Sequence, residues 1–195
     1  MIAETVVHER NAMDLFTAIE SRTTAGRLAA PGPTAEHLAR MIAAATRAPD
    51  HGRLRPWRFF VLDHAEREKF ADAVVEGRRK RLPSPTPEQV TAERNKVWRS
   101  PTLLVVGCAV HVGHPKVPEI EQVLAVGAAV ENLLLAAHAL GYGAMWKTGP
   151  AAYDPGVKAA LGLEPVDHIV AIVHLGTPVV PLVALEPAKP PPPDR

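Results

Sequence analysis

The sequence predicts an α+β domain in which helices flank a small sheet and one long helix is buried in the core. Three observations carry this expectation. Helical and strand patterns alternate along the chain, but only about four strands emerge. Leu103 to Val112 is a continuous apolar run, the pattern of a central strand covered on both faces. Pro118 to Leu140 is apolar on most sides, which in a globular chain marks a core helix.

Local signals place the elements in order. Met13 to Arg22 predicts a short helix with Leu15, Phe16 and Ile19 on one face, and Thr23 to Pro33 a loop. Thr34 caps a second helix whose apolar positions Leu38, Met41, Ile42 and Ala45 follow the helical period; Pro49 stops it. Trp57 to Leu62, mostly aromatic or β-branched, predicts a strand. Asp63 and Glu66 form a capping box for a helix reaching about Arg81. Thr86, Pro87 and Gln89 repeat the device for a helix that ends before Pro101. After the strand Leu103 to Val112 comes the long helix, about 34 Å at helical rise, closed by Gly141. It is long enough to cross a membrane, but Glu121, Gln122, Glu131, Asn132 and His138 argue against that. Ala144 to Thr148 predicts a short strand, Asp154-Pro155 opens a last helix ending near Gly162, and His168 to Leu175 is the final strand. Residues 1–12 are expected to form an N-terminal extension, 13–180 a single domain and 181–195 a tail. Seven prolines between Pro178 and Pro193 favour an extended chain there.

Composition excludes several classes. A hydrophobic share of 47%, a charged share of 22% and a net charge of +1 describe an ordinary globular chain with no broad surface for nucleic acid or membrane. The single cysteine, Cys108, lies in an apolar run and reads as a buried small hydrophobe. Residues 1–10 carry Glu4 and Glu9 and no long apolar core, so they do not resemble a secretory signal, and a cytoplasmic location is expected. Gly141-Tyr142-Gly143 lacks the third glycine of a dinucleotide fingerprint and follows a helix rather than a strand. No Walker loop and no Gly-x-Ser-x-Gly elbow is present. His111 and His114 lack the further ligands a metal site needs, so no metal is expected. Arg78 to Arg81 read as solvated cations complementing a helix C-terminus.

Three segments concentrate chemistry. Arg22-Thr23-Thr24 sets a guanidinium beside two hydroxyls, a pairing suited to a terminal phosphate. Arg47 to His51 places donors in a loop stiffened by Pro49, with Pro56 beyond it. Trp146-Lys147-Thr148 brings an aromatic, a cation and a hydroxyl to a strand end. Singly, Arg22 fits a surface ion pair, Trp146 a core filler and Lys147 a solvated tip. Together the segments suggest an anionic ligand with a flat polar ring.

In this order the segments resemble the nitroreductase family of FMN-dependent oxidoreductases, and within it the short YdjA-like subgroup. Ser21-Arg22-Thr23-Thr24-Ala25-Gly26-Arg27 is similar to the family's Arg-Arg-Ser-x-x-Arg opening. Arg47-Ala48-Pro49-Asp50-His51, followed by Arg55-Pro56-Trp57-Arg58-Phe59-Phe60-Val61, resembles its Ala-Pro loop and first core strand. His114 to Pro118 with Glu121-Gln122, Glu131 to Ala137 running into Leu140 to Trp146, and Leu175-Gly176-Thr177-Pro178 continue the likeness, which covers roughly residues 13 to 180.

The resemblance implies a central, mostly antiparallel sheet flanked by helices and a homodimer with FMN at the interface, held by both subunits. It implies that Arg22, Thr23 and Thr24 hold the flavin phosphate and ribityl chain. Arg47 and His51 would approach from the Ala-Pro loop, and Trp146, Lys147 and Thr148 would line the flavin from the later strand. Lys147 is the candidate cation near the ring, and no side chain is expected to act as a catalytic nucleophile. The implied cycle is ping-pong: NADPH or NADH reduces the flavin, and a small-molecule acceptor such as a nitroaromatic or quinone reoxidises it. A flavin-storing protein, or another flavin chemistry such as fragmentation or dehalogenation, is the alternative on the same fold. The chain departs from the family in having Thr23 where arginine is common and Thr24 where serine is usual. Its tail after Pro178 also carries only Lys189 and Arg195 as cations.

Overall fold

The capping residues seen in the sequence open most of the helices. In the computed structural model, which describes residues 13–82 and 84–182, the Asp14 carboxylate accepts from the Phe16 and Thr17 N–H groups and starts α1 (Leu15–Ser21). Thr34 accepts from His37 N–H and starts α2 (Ala35–Ala45). Reciprocal capping boxes open α3 (His64–Arg81) through Asp63 and Glu66, and α4 (Pro87–Asn95) through Thr86 and Gln89. The long helix α5 (Glu119–Ala139) ends at Gly141, whose φ of +84° closes the turn without a Cβ penalty. Asp154 caps α6 (Pro155–Ala160). The expected N-terminal extension and residues 183–195 of the expected tail lie outside the described residues.

The sheet is antiparallel at every described pairing. β2 (Trp57–Leu62) pairs with β3 (Thr102–Cys108), and β3 pairs with β5 (His168–Pro178). β4 (Gly143–Lys147) also pairs with β5, over Ile172 to Gly176. Because β3 holds Ile172 to Leu175 from one edge, β4 takes the other. A two-residue strand, β1 (Leu28–Ala29), pairs with Thr177 and Pro178 at the far end of β5.

Side-chain alternation in the central strands builds two cores. Leu104, Val106, Ala171, Val173 and Leu175 face α5, where they meet Val126, Ala129, Val130 and Leu133. Leu103, Val105, Ile169 and Ile172 face the opposite side, against Phe70, Val74 and Val157. Burial on both faces explains why β3 is apolar without alternation. It also explains α5, which has the length and hydropathy of a membrane span yet is the helix that covers the sheet.

Several expectations are corrected. The strand expected to reach Val112 ends at Cys108, after a register shift at Val106/Gly107, and Val110 N–H then donates to the Asp167 carboxylate (2.8 Å). The final strand runs past Leu175 to Pro178, because β1 supplies a partner that the loop reading of residues 23–33 omitted. The face of α1 is not covered by the described residues: Leu15, Phe16 and Ile19 are 63%, 73% and 52% exposed, and only Ala18 is buried. The cations at the end of α3 are only partly solvated, since Arg81 pairs with the buried Asp154 (2.9 Å).

Two buried polar side chains tie the connections. Arg67 donates to the carbonyls of Pro101 (3.0 Å), Val97 (2.7 Å) and Ser100 (2.9 Å) and lies over the Trp98 ring. Gln122 on α5 accepts from His111 N–H (2.8 Å) and donates to the carbonyls of His111 and Val117 (3.2 Å each), clamping the β3–α5 connection. Gln122→Leu keeps the volume and strips three bonds from a side chain that is 1% exposed. It should lower stability by about 3 kcal/mol, read as the shift of the urea midpoint at constant slope.

Candidate functional site

The first cluster forms where α1 meets β4. Arg22 is the C-cap of α1, and its Nε lies 3.4 Å from Oε1 of Glu131 on α5. The pair orients the guanidinium through one edge. Neighbouring Ser21 donates to Thr17 O (2.5 Å), so its oxygen accepts from His138 Nε2–H (2.7 Å). Burial and the Arg22 charge hold His138 below its ordinary pKa. Thr23 and Thr24 follow outside any helix or strand, with no side-chain partner among the described residues. Ala25 N–H donates to Ala144 O (2.9 Å), joining this segment to the start of β4.

The end of β4 carries the second cluster, and strand alternation divides it. Trp146 stands opposite Val173, on the α5 face, and donates from Nε1 to Val170 O (3.1 Å). Lys147 stands opposite Ile172, on the other face. There it lines a cavity of about 240 Å³ with Thr148, Glu93, Lys96, Arg99 and His174. Among the described residues Lys147 has no carboxylate partner, whereas Lys96 pairs with Glu93 (2.7 Å).

His174 is buried in this wall, 3% exposed. Ser100 donates its only hydroxyl proton to Thr102 O (2.8 Å), so it accepts from His174 Nδ1–H (3.0 Å). That fixes the tautomer and leaves Nε2 as an acceptor. Burial first, then the Arg99, Arg67 and Lys147 charges, push His174 down to about 4, so it is neutral at pH 7.

Arg47 and His51 belong to a third place. The loop after α2 is held by the Asp50 carboxylate, which accepts from Arg55 N–H (2.7 Å), and Arg53 and Arg55 both adopt positive φ (55° and 50°). Arg47, Arg53 and Arg55 border an open cleft of about 410 Å³. His51 Nδ1 meets Glu121 Oε2 at 2.6 Å, near the start of α5. Glu121 and the Arg22 partner Glu131 are ten residues apart on that helix, roughly 15 Å at helical rise. Within one chain, then, the structure joins Arg22, Thr23 and Thr24 to β4, while Arg47 and His51 stand apart.

Glu121 and Asn132 both face α2 and its following loop: His51 meets Glu121, and Asn132 donates to Ala44 O (3.3 Å). The exposed stripe of α5 is instead apolar, with Ile120 and Leu124 62% and 64% exposed. His114 is a turn group whose Nδ1 accepts from Val117 N–H (3.0 Å), and no His, Cys, Asp and Glu cluster suited to a metal occurs among the described residues. Burial pushes the Cys108 thiol up to about 11, so it is inert packing. Sequence reasoning missed Glu93, Lys96, Arg99 and His174. A single histidine in the otherwise apolar run Ile169 to Leu175 was the signal for the last of these.

An antiparallel sheet over one long helix, with a donor cluster at the edge strand, defines an α+β ligand-binding fold, and comparison gives it a family. The pattern of the nitroreductase family matches residues 19–177. YdjA of Escherichia coli K12, provisionally named an NAD(P)H nitroreductase, is 36% identical over 166 residues, 85% of this chain and 89% of that protein. A Haemophilus influenzae protein with the same provisional name is 34% identical over 169 residues, again 85% and 89%. Among solved structures, a nitroreductase-like family protein from Bacillus cereus superposes with a TM-score of 0.73 at 23% identity, covering 91% of each chain. A Desulfovibrio desulfuricans protein solved in complex with FMN gives 0.68 at 23%, covering 90% and 91%. The chain belongs to the nitroreductase family, a family of oxidoreductases.

The depressed His174 sets a pH dependence. Between its ordinary 6.5 and its folded value of about 4, the unfolded chain takes up a proton that the folded chain refuses. Its contribution, about 3 kcal/mol, is therefore complete above pH 6.5 and lost as pH falls toward 4. His174→Gln should flatten the dependence of stability on pH across that window, measured by denaturant unfolding at several pH values.

Proposed function

We propose that this chain is an FMN-dependent NAD(P)H oxidoreductase that works as a homodimer and reduces nitroaromatics, quinones or similar acceptors. The observation that carries the reading is the donor set at the α1–β4 junction. The outer nitrogens of Arg22 and the hydroxyls of Thr23 and Thr24 fit a phosphate and a polyol chain, and Ala25 ties them to the strand that bears Trp146, Lys147 and Thr148. When bound, FMN supplies the redox chemistry, accepting hydride from the nicotinamide and passing electrons to the acceptor. Lys147, free of any described carboxylate, would hold positive charge near the bound flavin and favour its reduction. Arg22 binds, Thr23 and Thr24 orient, and no protein nucleophile takes part. The provisional name of YdjA and the FMN bound in the Desulfovibrio desulfuricans structure support this reading.

The dimer follows from two features. Leu15, Phe16 and Ile19 on α1 and Ile120 and Leu124 on α5 are exposed apolar side chains on two helices that touch, and a Cβ at Gly127 would meet nothing within 4 Å. Such a surface calls for a partner. A second copy laid against it would supply Arg47 and His51, with the arginine-lined cleft, to the flavin held by Arg22 of the first.

Purified protein should be yellow and should bleach anaerobically with NADPH or NADH. A flavin that neither donor bleaches would mean storage rather than reduction, and protein that stays colourless after addition of FMN would remove the cofactor. Arg22→Gln should weaken FMN binding ten- to hundredfold, about 1.5–3 kcal/mol. Leu124→Glu, on an exposed position, should give a folded monomer in sedimentation that no longer retains FMN; a flavin-loaded monomer would contradict the shared site.

A further inference from the structure

We propose that the cavity between β4, β5 and α4 is the seat of the oxidising substrate, and that it takes a single aromatic ring bearing an anionic group and a hydrogen-bond donor. Its role as a substrate seat rests on the flavin reading; the chemistry of its ligand rests on the cavity alone.

The size sets the first limit. At about 240 Å³ the space falls just below the usual range for ligand pockets, roughly 300–1,000 Å³, and suits one substituted ring. Its apolar walls, Phe70, Val74, Val97 and Ile172, come from three elements of the second core and offer flat contact to such a ring.

Charge sets the second limit. Glu93 and Lys96 satisfy each other at 2.7 Å. Arg99 and Lys147 remain, and among the described residues neither has an acidic partner. Two cations facing one apolar space select an anion, and a guanidinium matches a carboxylate or nitro group through two parallel donors.

His174 sets the third. Its Nδ1–H is spent on Ser100, and its Nε2 has no described partner in a residue 3% exposed. Nε2 is not among the buried side-chain atoms left unpaired, so it opens to the cavity, and a ligand that displaces its water and donates to it is favoured over one that does not. Lys147 and Thr148 also belong to the strand end assigned to the flavin, so a ring in this cavity lies next to the cofactor rather than at a remote surface.

The test is calorimetric titration of FMN-loaded protein with the three hydroxybenzoates, benzoate and benzyl alcohol, none of which needs to be reduced. One hydroxybenzoate should bind at least tenfold tighter than benzoate, and benzoate tighter than the alcohol. Arg99→Gln, at an exposed position that leaves both cores intact, should weaken both acids about tenfold or more. His174→Leu should abolish the preference for the hydroxybenzoate while leaving benzoate unchanged; if that variant does not fold, the Arg99→Gln result decides alone. Equal binding of acid and alcohol, or no effect of Arg99→Gln, overturns the proposal. Acid binding confined to FMN-free protein overturns it too, because the cavity would then belong to the flavin. Protein that takes no FMN but binds the acids with both mutational signatures keeps the ligand chemistry and removes the flavin reading.

Discussion

The packing of α5 against the sheet is the constraint on which the rest of the structure depends. Val126, Ala129, Val130 and Leu133 bury one face of the helix under β3 and β5, which fixes its rotation. With the rotation set, every other position on the helix has a determined outlook. Asn132 and Glu121 turn toward α2 and its loop, Glu131 toward Arg22, and Ile120 and Leu124 outward. Gln122 locks the entry of the helix and Gly141 its exit. The distance between Glu121 and Glu131 is then rigid, and with it the gap between the two halves of the proposed flavin site.

β5 distributes chemistry between the two sides of the sheet. Its odd and even positions separate Val173 from His174, and through the pairing with β4 they separate Trp146 from Lys147. Residues adjacent in sequence thus serve different surroundings: Trp146 reaches a β5 carbonyl on the α5 side, while Lys147 joins Arg99 and His174 in the cavity on the other. A cation without a local counter-ion raises the electron affinity of a nearby flavin and, in the same place, draws an anionic ring. In the proposed site one lysine would serve both purposes, because it lies at a strand end.

Much of this was legible in the sequence wherever the signal is local. Asp63 with Glu66, Thr86 with Gln89, and Gly141 announce helix ends because a cap involves only the residues of one turn. The apolar run of β3 showed a strand covered on both faces. What was hidden depends on distant partners. Leu28 and Ala29 are a strand only because β5 continues to Pro178, and β5 continues only because they are there. The burial of Arg67 and Gln122 is visible only once the connections they bond are placed. The three site segments were found by residue type, yet their division into a joined pair and a separate loop depends on which positions of α5 they meet, Glu131 for Arg22 and Glu121 for His51, and no local pattern reveals that. Lys96 and Arg99 were invisible for the same reason: they meet Lys147 only through the sheet.

Subunit complementation tests the shared site most directly. A chain carrying Arg22→Gln and a chain carrying Arg47→Gln with His51→Ala would each be prepared without flavin, mixed, allowed to exchange subunits and then loaded with FMN. If each flavin is held by Arg22 of one copy and the Ala-Pro loop of the other, mixed dimers regain one intact site, and flavin returns toward one per mixed dimer. If each site lies within a single chain, every site keeps a defect and no flavin is recovered, which would contradict the account.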